Sequence, residues 1–207
     1  MHLPASPSKI VCVGRNYADH AKELGNDVPV EPLLFFKPPS ALIPHGAPIV
    51  LPQGFGRIDY EGELAVVIGK TCKDVPEEQA WDVIAGYTIL NDVTARELQK
   101  KDGQWTRAKG FDTFAPCGPT FVSGLDVRDV AIETRLNGQV VQSGRTSQLI
   151  FPIPRLIAYI TQCMTLVPGD IVSTGTPSGV GPLKAGDVVE VTVEGIGTLS
   201  NPVVEKS

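Results

Sequence analysis

Apolar residues in this chain come in short bursts separated by Gly- and Pro-bearing turns, the pattern of many brief strands and few helices. Lys9 to Gly14 predicts a strand closed by Gly, and Leu33 to Lys37 a second closed by Pro38-Pro39. Glu63 to Ile68 is apolar and β-branched, which predicts a buried strand. Tyr87 to Leu90 predicts another, running into Asn91-Asp92. The last third is β-rich. Ile171 to Thr174 follows Pro168-Gly169-Asp170, and in Val188 to Val193 the residues Val189, Val191 and Val193 alternate with polar neighbours. Helical spacing is rarer. A short helix is predicted over Asn16 to Leu24, with Asn16 as N-cap and Gly25 as stop, followed by a loop to Pro32. Ala80, Trp81 and Ile84 predict a helix within Pro76 to Tyr87, with Pro76 in its first position. Thr94 and Glu97 form a capping-box pattern that predicts a helix just after Asp92. Leu156, Ile157, Ile160 and Met164 give Pro152 to Leu166 an amphipathic face. The sum is an α+β, β-rich fold with a rolled sheet.

Length and composition narrow the picture. A chain of 207 residues suits one domain, and 42% hydrophobic with 20% charged residues suits an ordinary globular core. A net charge of −5 and no run of Lys or Arg argue against nucleic acid or an anionic membrane as partner. Cys12, Cys72, Cys117 and Cys163 are far apart and lack Cys-x-x-Cys spacing, so most are expected as small core residues of a reduced, cytoplasmic protein. Met1 to Ser8 has no secretory pattern, and no apolar run is long enough to span a bilayer.

Candidate chemistry centres on Glu61 and Glu63. Alternate residues of a strand face the same way, so this pair projects side by side at the mouth of the Glu63 to Ile68 strand. Two like charges there repel, and burial adds a further cost. A divalent cation between them removes both. The alternative is that Glu61 belongs to a solvated turn. Asp92, at a strand end, is either a third oxygen ligand or a turn-capping residue. Three carboxylates without Cys or a nearby His favour Mg²⁺, Mn²⁺ or Ca²⁺ over Zn²⁺.

His20 and Glu23 share a helix face, which suits a carboxylate-assisted general base or a solvent-exposed pair of little weight. Arg15, Lys37 and Lys109 sit at element ends, where they either hold a carboxylate substrate or are solvated surface charges. Gly175 to Gly181 is a glycine-rich turn without a dinucleotide or P-loop pattern. Its backbone N–H groups and the Thr176 hydroxyl could grip a carboxylate, or it is simply a tight turn. No Gly-x-Ser-x-Gly elbow is present.

Six segments in order resemble the fumarylacetoacetate hydrolase family: Gly14 to His20, Leu34 to Pro38, Ile58 to Leu64, Asn91 to Arg96, Arg107 to Asp112 and Gly175 to Gly181. The resemblance implies a mixed β-roll, usually dimeric, with residues 1–207 as a single catalytic domain and residues 1–45 as an N-terminal strand, lid helix and loop packed on the roll. It implies Mg²⁺ ligands at Glu61, Glu63 and Asp92, and a catalytic pair at His20 and Glu23 on a lid, with Lys109 also assisting catalysis. It implies substrate contacts at Arg15, Lys37, Gln99, Lys109 and Thr176. The stretch from Pro116 to Ile132 is short compared with many members.

The activity so implied is Mg²⁺-dependent cleavage of a C–C bond in an acylpyruvate through a metal-stabilised enolate. Oxaloacetate decarboxylation, oxaloacetate tautomerisation and hydroxymuconate-type isomerisation share that enolate and stand as alternatives. Two rivals from other classes are a protein that binds a 2-oxo acid without turnover and a structural Ca²⁺ site. The His20–Glu23 pair argues against the first, and the surrounding cations argue against the second.

Overall fold

The computed structural model describes residues 6–23, 25 and 27–206. The chain start before Ser6, and Leu24 at the end of the first predicted helix, lie outside them. Three sheets make up the framework. The largest runs, in spatial order, Leu33–Lys37, Ile10–Gly14, Ile171–Ser173, Gly62–Ile68, Ile84–Asn91, Ala115–Val122 and Leu42–Ile43. Ile10–Gly14 pairs in parallel with Ile171–Ser173, and Leu42–Ile43 with Ala115–Val122, while the other neighbours are antiparallel. A five-stranded sheet runs Gln139–Arg145, Ala131–Leu136, Val188–Val193, Gly197–Glu205 and Ile49–Leu51. Gly181–Pro182, Ile58–Tyr60 and Thr94–Ala95 form a small third sheet.

The core is built where the two larger sheets face each other. Leu64, Val66 and Ile89 of the first meet Ile132, Val191, Val193 and Leu199 of the second, all buried. The predicted alternation holds: Val189, Val191 and Val193 point inward. The sheets approach so closely at Gly62 that a Cβ there would lie 2.8 Å from Val191. Leu156, Ile157 and Ile160 of the helix Ile153–Cys163 cover the same core. The result is the β-rich α+β roll of curled mixed sheets expected from the sequence.

Several local expectations are corrected. The first helix spans Ala18–Glu23, and Asn16 does not cap it. The Asn16 side chain instead donates to the carbonyls of Phe151 and Thr174 and accepts from the Phe151 N–H, tying the chain to distant segments. Gly25, at φ +69, does end that turn. The segment Glu77–Val83 is a 3₁₀ helix with Pro76 in the cap position rather than the first. Thr94 and Ala95 join the small sheet opposite Asp59 and Ile58, so the next helix starts at Arg96 and has no side-chain cap. Cys12, Cys72 and Cys117 are buried and Cys163 is exposed, all as free thiols.

Candidate active site

Strand pairing brings the three acids together. Gly62–Ile68 and Ile84–Asn91 pair with Gly62 opposite Asn91, so the residues just before one strand and just after the other become neighbours. The Asp92 N–H donates to the Glu61 carbonyl at 2.8 Å, and the Glu61 N–H donates to Asn91 Oδ1 at 2.9 Å. Glu61, Glu63 and Asp92 each offer a carboxylate oxygen, and these atoms lie within 4.8 Å of one another. All three residues are buried, so Glu61 is not part of a solvated turn.

The carboxylates are individually oriented. Ser173 donates to Glu63 Oε2 at 2.5 Å and the Gly175 N–H to the same oxygen at 2.9 Å. Lys109 Nζ bridges Glu61 Oε2 at 2.7 Å and Asp92 Oδ2 at 2.6 Å. Lys37 Nζ donates to Asp92 Oδ1 at 2.6 Å and to the Val93 carbonyl. Neither lysine is a solvated surface charge: Lys37 is 1% exposed and Lys109 2%.

Lys109, Arg15, His20, Gln99 and Thr176 line one cavity of about 220 Å³ with the three acids. Lys37 does not line it and sits behind Asp92 instead. Arg15 takes φ +58, a conformation seldom adopted outside glycine and often found at functional sites, with its guanidinium 6.0 Å from the Trp105 ring. His20 is buried, and its Nδ1 is 3.3 Å from Glu23 Oε2. The imidazole is therefore not the exposed one that spacing alone allowed, while Glu23 remains exposed. The Thr176 hydroxyl donates to the Gly62 carbonyl at 2.9 Å and accepts from Gln142 Nε2.

Arg96 is a residue the sequence reading did not single out. Its guanidinium donates to Asp59, to Glu61 Oε1 at 2.6 Å and to Gln99 Oε1 at 2.9 Å. Because a guanidinium only donates, the Gln99 oxygen must face Arg96. The one available signal was an Arg at the start of a helix that follows a candidate ligand. Phe35 and Trp105, edge to face at 5.1 Å, form the apolar wall, and Lys109 Nζ lies 4.8 Å over Phe35.

Electrostatics separate the two glutamates. Burial pushes the Glu61 carboxyl up, but Lys109, Arg96 and His20 outweigh it and hold the group well below the usual carboxylate range. Burial pushes Glu63 well above that range, aided by the Asp92 and Glu61 charges. Burial would also lower the Lys109 amine, yet Asp92 and Glu61 hold it above its ordinary value. Lys37 is lowered by burial despite its Asp92 partner.

The donor set fits a hard divalent cation. It is all carboxylate, and burial together with its like charges at close range raises Glu63 in the absence of a cation. Once Glu63 gives up its proton, the buried cluster of Asp59, Glu61, Glu63 and Asp92 against Lys37, Arg96 and Lys109 carries one more negative than positive charge. A divalent ion would turn that balance to net positive, ready for a carboxylate ligand.

A family model described as fumarylacetoacetate (FAA) hydrolase C-terminal matches residues 9–204. The chain belongs to the fumarylacetoacetate hydrolase family. Among relatives, a protein of Archaeoglobus fulgidus is 57% identical over 202 residues, covering 98% of this chain and 81% of its own length. Oxaloacetate tautomerase YisK of Bacillus subtilis is 44% identical over 218 residues, covering 98% of this chain and 72% of its own length. The crystal structure of 5-carboxymethyl-2-hydroxymuconate delta-isomerase from Mycobacterium smegmatis superposes with a TM-score of 0.93 at 54% identity, over 99% of this chain and 81% of that one. These matches identify the chain as an enzyme of the fumarylacetoacetate hydrolase family with its mixed β-roll fold. Among the described residues, no helix is long and apolar enough to cross a membrane.

Proposed function

We propose that this enzyme interconverts the keto and enol forms of a short 2-oxo diacid of the oxaloacetate type, with Mg²⁺ held by Glu61, Glu63 and Asp92. The observation that carries the reading is His20. It is buried in the wall of the cavity, and its Nδ1 is committed to Glu23. With Nδ1 as the donor to that carboxylate, Nε2 is the ring nitrogen left to accept a proton. The two named relatives are a tautomerase and a delta-isomerase by name, which supports an isomerisation over a cleavage. The cavity of about 220 Å³ suits an acid of few carbons.

A bound Mg²⁺ supplies Lewis acidity that favours the enolate form of a 2-oxo acid. The chain supplies the rest. Lys109 has three N–H donors and spends two on Glu61 and Asp92, which leaves one for a substrate oxygen. Gln99, with its oxygen held by Arg96, turns its NH₂ to an acceptor. Arg15 on the rim favours a second carboxylate. His20 takes the proton from the carbon beside the keto group and returns one to the oxygen, so the reaction needs no further reactant.

Hydrolysis of acylpyruvates is the second reading, since the same His20–Glu23 pair suits activation of water. The deciding experiment follows enol-oxaloacetate absorbance with protein and Mg²⁺, beside pyruvate release from acetylpyruvate, each with an EDTA control. EDTA-sensitive enol decay without pyruvate release supports tautomerisation. Pyruvate release at the greater kcat/KM replaces it with hydrolysis. A homodimer belongs to the same proposal and is checked by light scattering.

A further inference from the structure

The helix that carries His20 is fastened to the rest of the site at Gly179. Both Glu23 oxygens accept from the Gly179 N–H, at 3.0 and 3.1 Å. The same carboxylate meets His20 Nδ1 through Oε2. Glu23 therefore orients the imidazole and ties its helix to the glycine-rich turn at once. Gly179 can serve because it takes φ +100, and a Cβ there would collide with the Val141 carbonyl oxygen.

The turn is itself held from beneath. Tyr60 donates its hydroxyl to the Gly179 carbonyl at 3.1 Å. Its backbone pairs with Gly181, whose missing Cβ makes room for the phenol: a Cβ there would sit 2.6 Å from Tyr60 Oη. Tyr60 is 3% exposed and immediately precedes Glu61. One strand end thus carries a candidate metal ligand and, one residue earlier, the hydroxyl that fixes the anchor of the proton-transfer helix.

We propose that Tyr60 is a positioning residue for the His20–Glu23 pair, acting through the backbone of Gly179 and setting the distance between that pair and the acidic triad. This rests on the reading of His20 as the proton acceptor. Without the phenol hydroxyl, Gly179 loses its tie to the Ile58–Tyr60 strand, and Glu23 follows the turn. Binding groups are untouched, so the cost falls on turnover rather than on substrate or metal affinity.

The test compares wild type, Tyr60→Phe and Glu23→Gln by hydrogen exchange at the Gly179 amide, by Mg²⁺ calorimetry and by steady-state kinetics on enol-oxaloacetate. Glu23→Gln is expected to raise Gly179 exchange about tenfold, the size of a weakened hydrogen bond to a charged group, and Tyr60→Phe about threefold, through the neutral bond lost at the Gly179 carbonyl. Tyr60→Phe is expected to lower kcat about tenfold while KM and Mg²⁺ affinity stay within about twofold, since small misplacement of a reacting group costs rate. Unchanged Gly179 exchange in Tyr60→Phe, or a wild-type kcat, overturns the proposal. So does a loss in Mg²⁺ affinity that matches the loss in kcat. Should Tyr60→Phe not fold, unchanged Gly179 exchange in Glu23→Gln overturns it alone. The exchange is read without turnover. Failure of the tautomerase reading therefore shows separately, as wild-type turnover by His20→Ala.

Discussion

Ser173 donates its hydroxyl proton to Oε2 of Glu63 at 2.5 Å. With the Gly175 N–H on the same oxygen, Oε2 is fully engaged and Oε1 is the atom Glu63 offers to a cation. Groups that orient a ligand typically change metal affinity by about 10–100-fold when removed. Ser173→Ala is therefore expected to weaken Mg²⁺ binding by about tenfold or more, while leaving the fold intact, because Ser173 is small and the Gly175 bond remains. Isothermal titration calorimetry checks it. Equal affinities in variant and wild type would remove Ser173 from the metal site.

Glu63 also sets the pH dependence of that binding. Burial, then the Asp92 and Glu61 charges, keep its proton well above the ordinary carboxylate range. A divalent cation has to replace this proton. Binding should release protons, and affinity should rise with pH, since acid restores the competing proton. Titrations between about pH 5 and 7, in buffers of different ionisation enthalpy, count the protons released. A count of zero throughout that window would show Glu63 already ionised.

Lys37 gives a stability prediction that is separate from substrate contact. Its ammonium is buried against Asp92 Oδ1 and lies outside the cavity lining. Lys37→Met keeps the stem and removes the charge, which leaves a buried carboxylate one partner short. Breaking one side of a buried pair costs about 3–5 kcal/mol, and the remaining bond from Lys109 to Asp92 Oδ2 should bring the loss to the lower end. Urea denaturation in EDTA measures it. A change under about 1 kcal/mol would mean that Asp92 is relaxed or solvated in solution.

The acidic triad was legible because two rules of local geometry suffice for it. Alternation places Glu61 beside Glu63, and a strand end followed by a turn marks Asp92. The burial of Lys37 and Lys109 was not legible. Each is flanked by a turn former, Pro38 or Gly110, which usually signals the surface, and its burial depends on carboxylates distant in sequence. Arg96 escaped for the same reason, since all of its weight lies in long-range bonds to Asp59 and Glu61. The Thr94–Glu97 cap failed because bridging to Ile58 and Asp59 satisfies that backbone instead. Local rules found the charged groups that strand ends present, and only the fold revealed which charges they meet.

His20→Ala bears most directly on the chemistry. The imidazole lines the cavity beside the triad, and its described hydrogen bond is to Glu23 of its own short helix. Its removal should leave folding and Mg²⁺ affinity near wild type. A positioned acid–base group contributes about 10²–10⁴ in rate, so kcat on enol-oxaloacetate should fall by about 10²-fold or more, with KM little changed because Lys109, Gln99 and Arg15 remain. Calorimetry and steady-state kinetics on one preparation separate the two effects. A rise in KM at constant kcat would make His20 a binding group, and proton transfer would then have to be sought at Lys109, an amine in the cavity wall whose charge is set by its carboxylate neighbours.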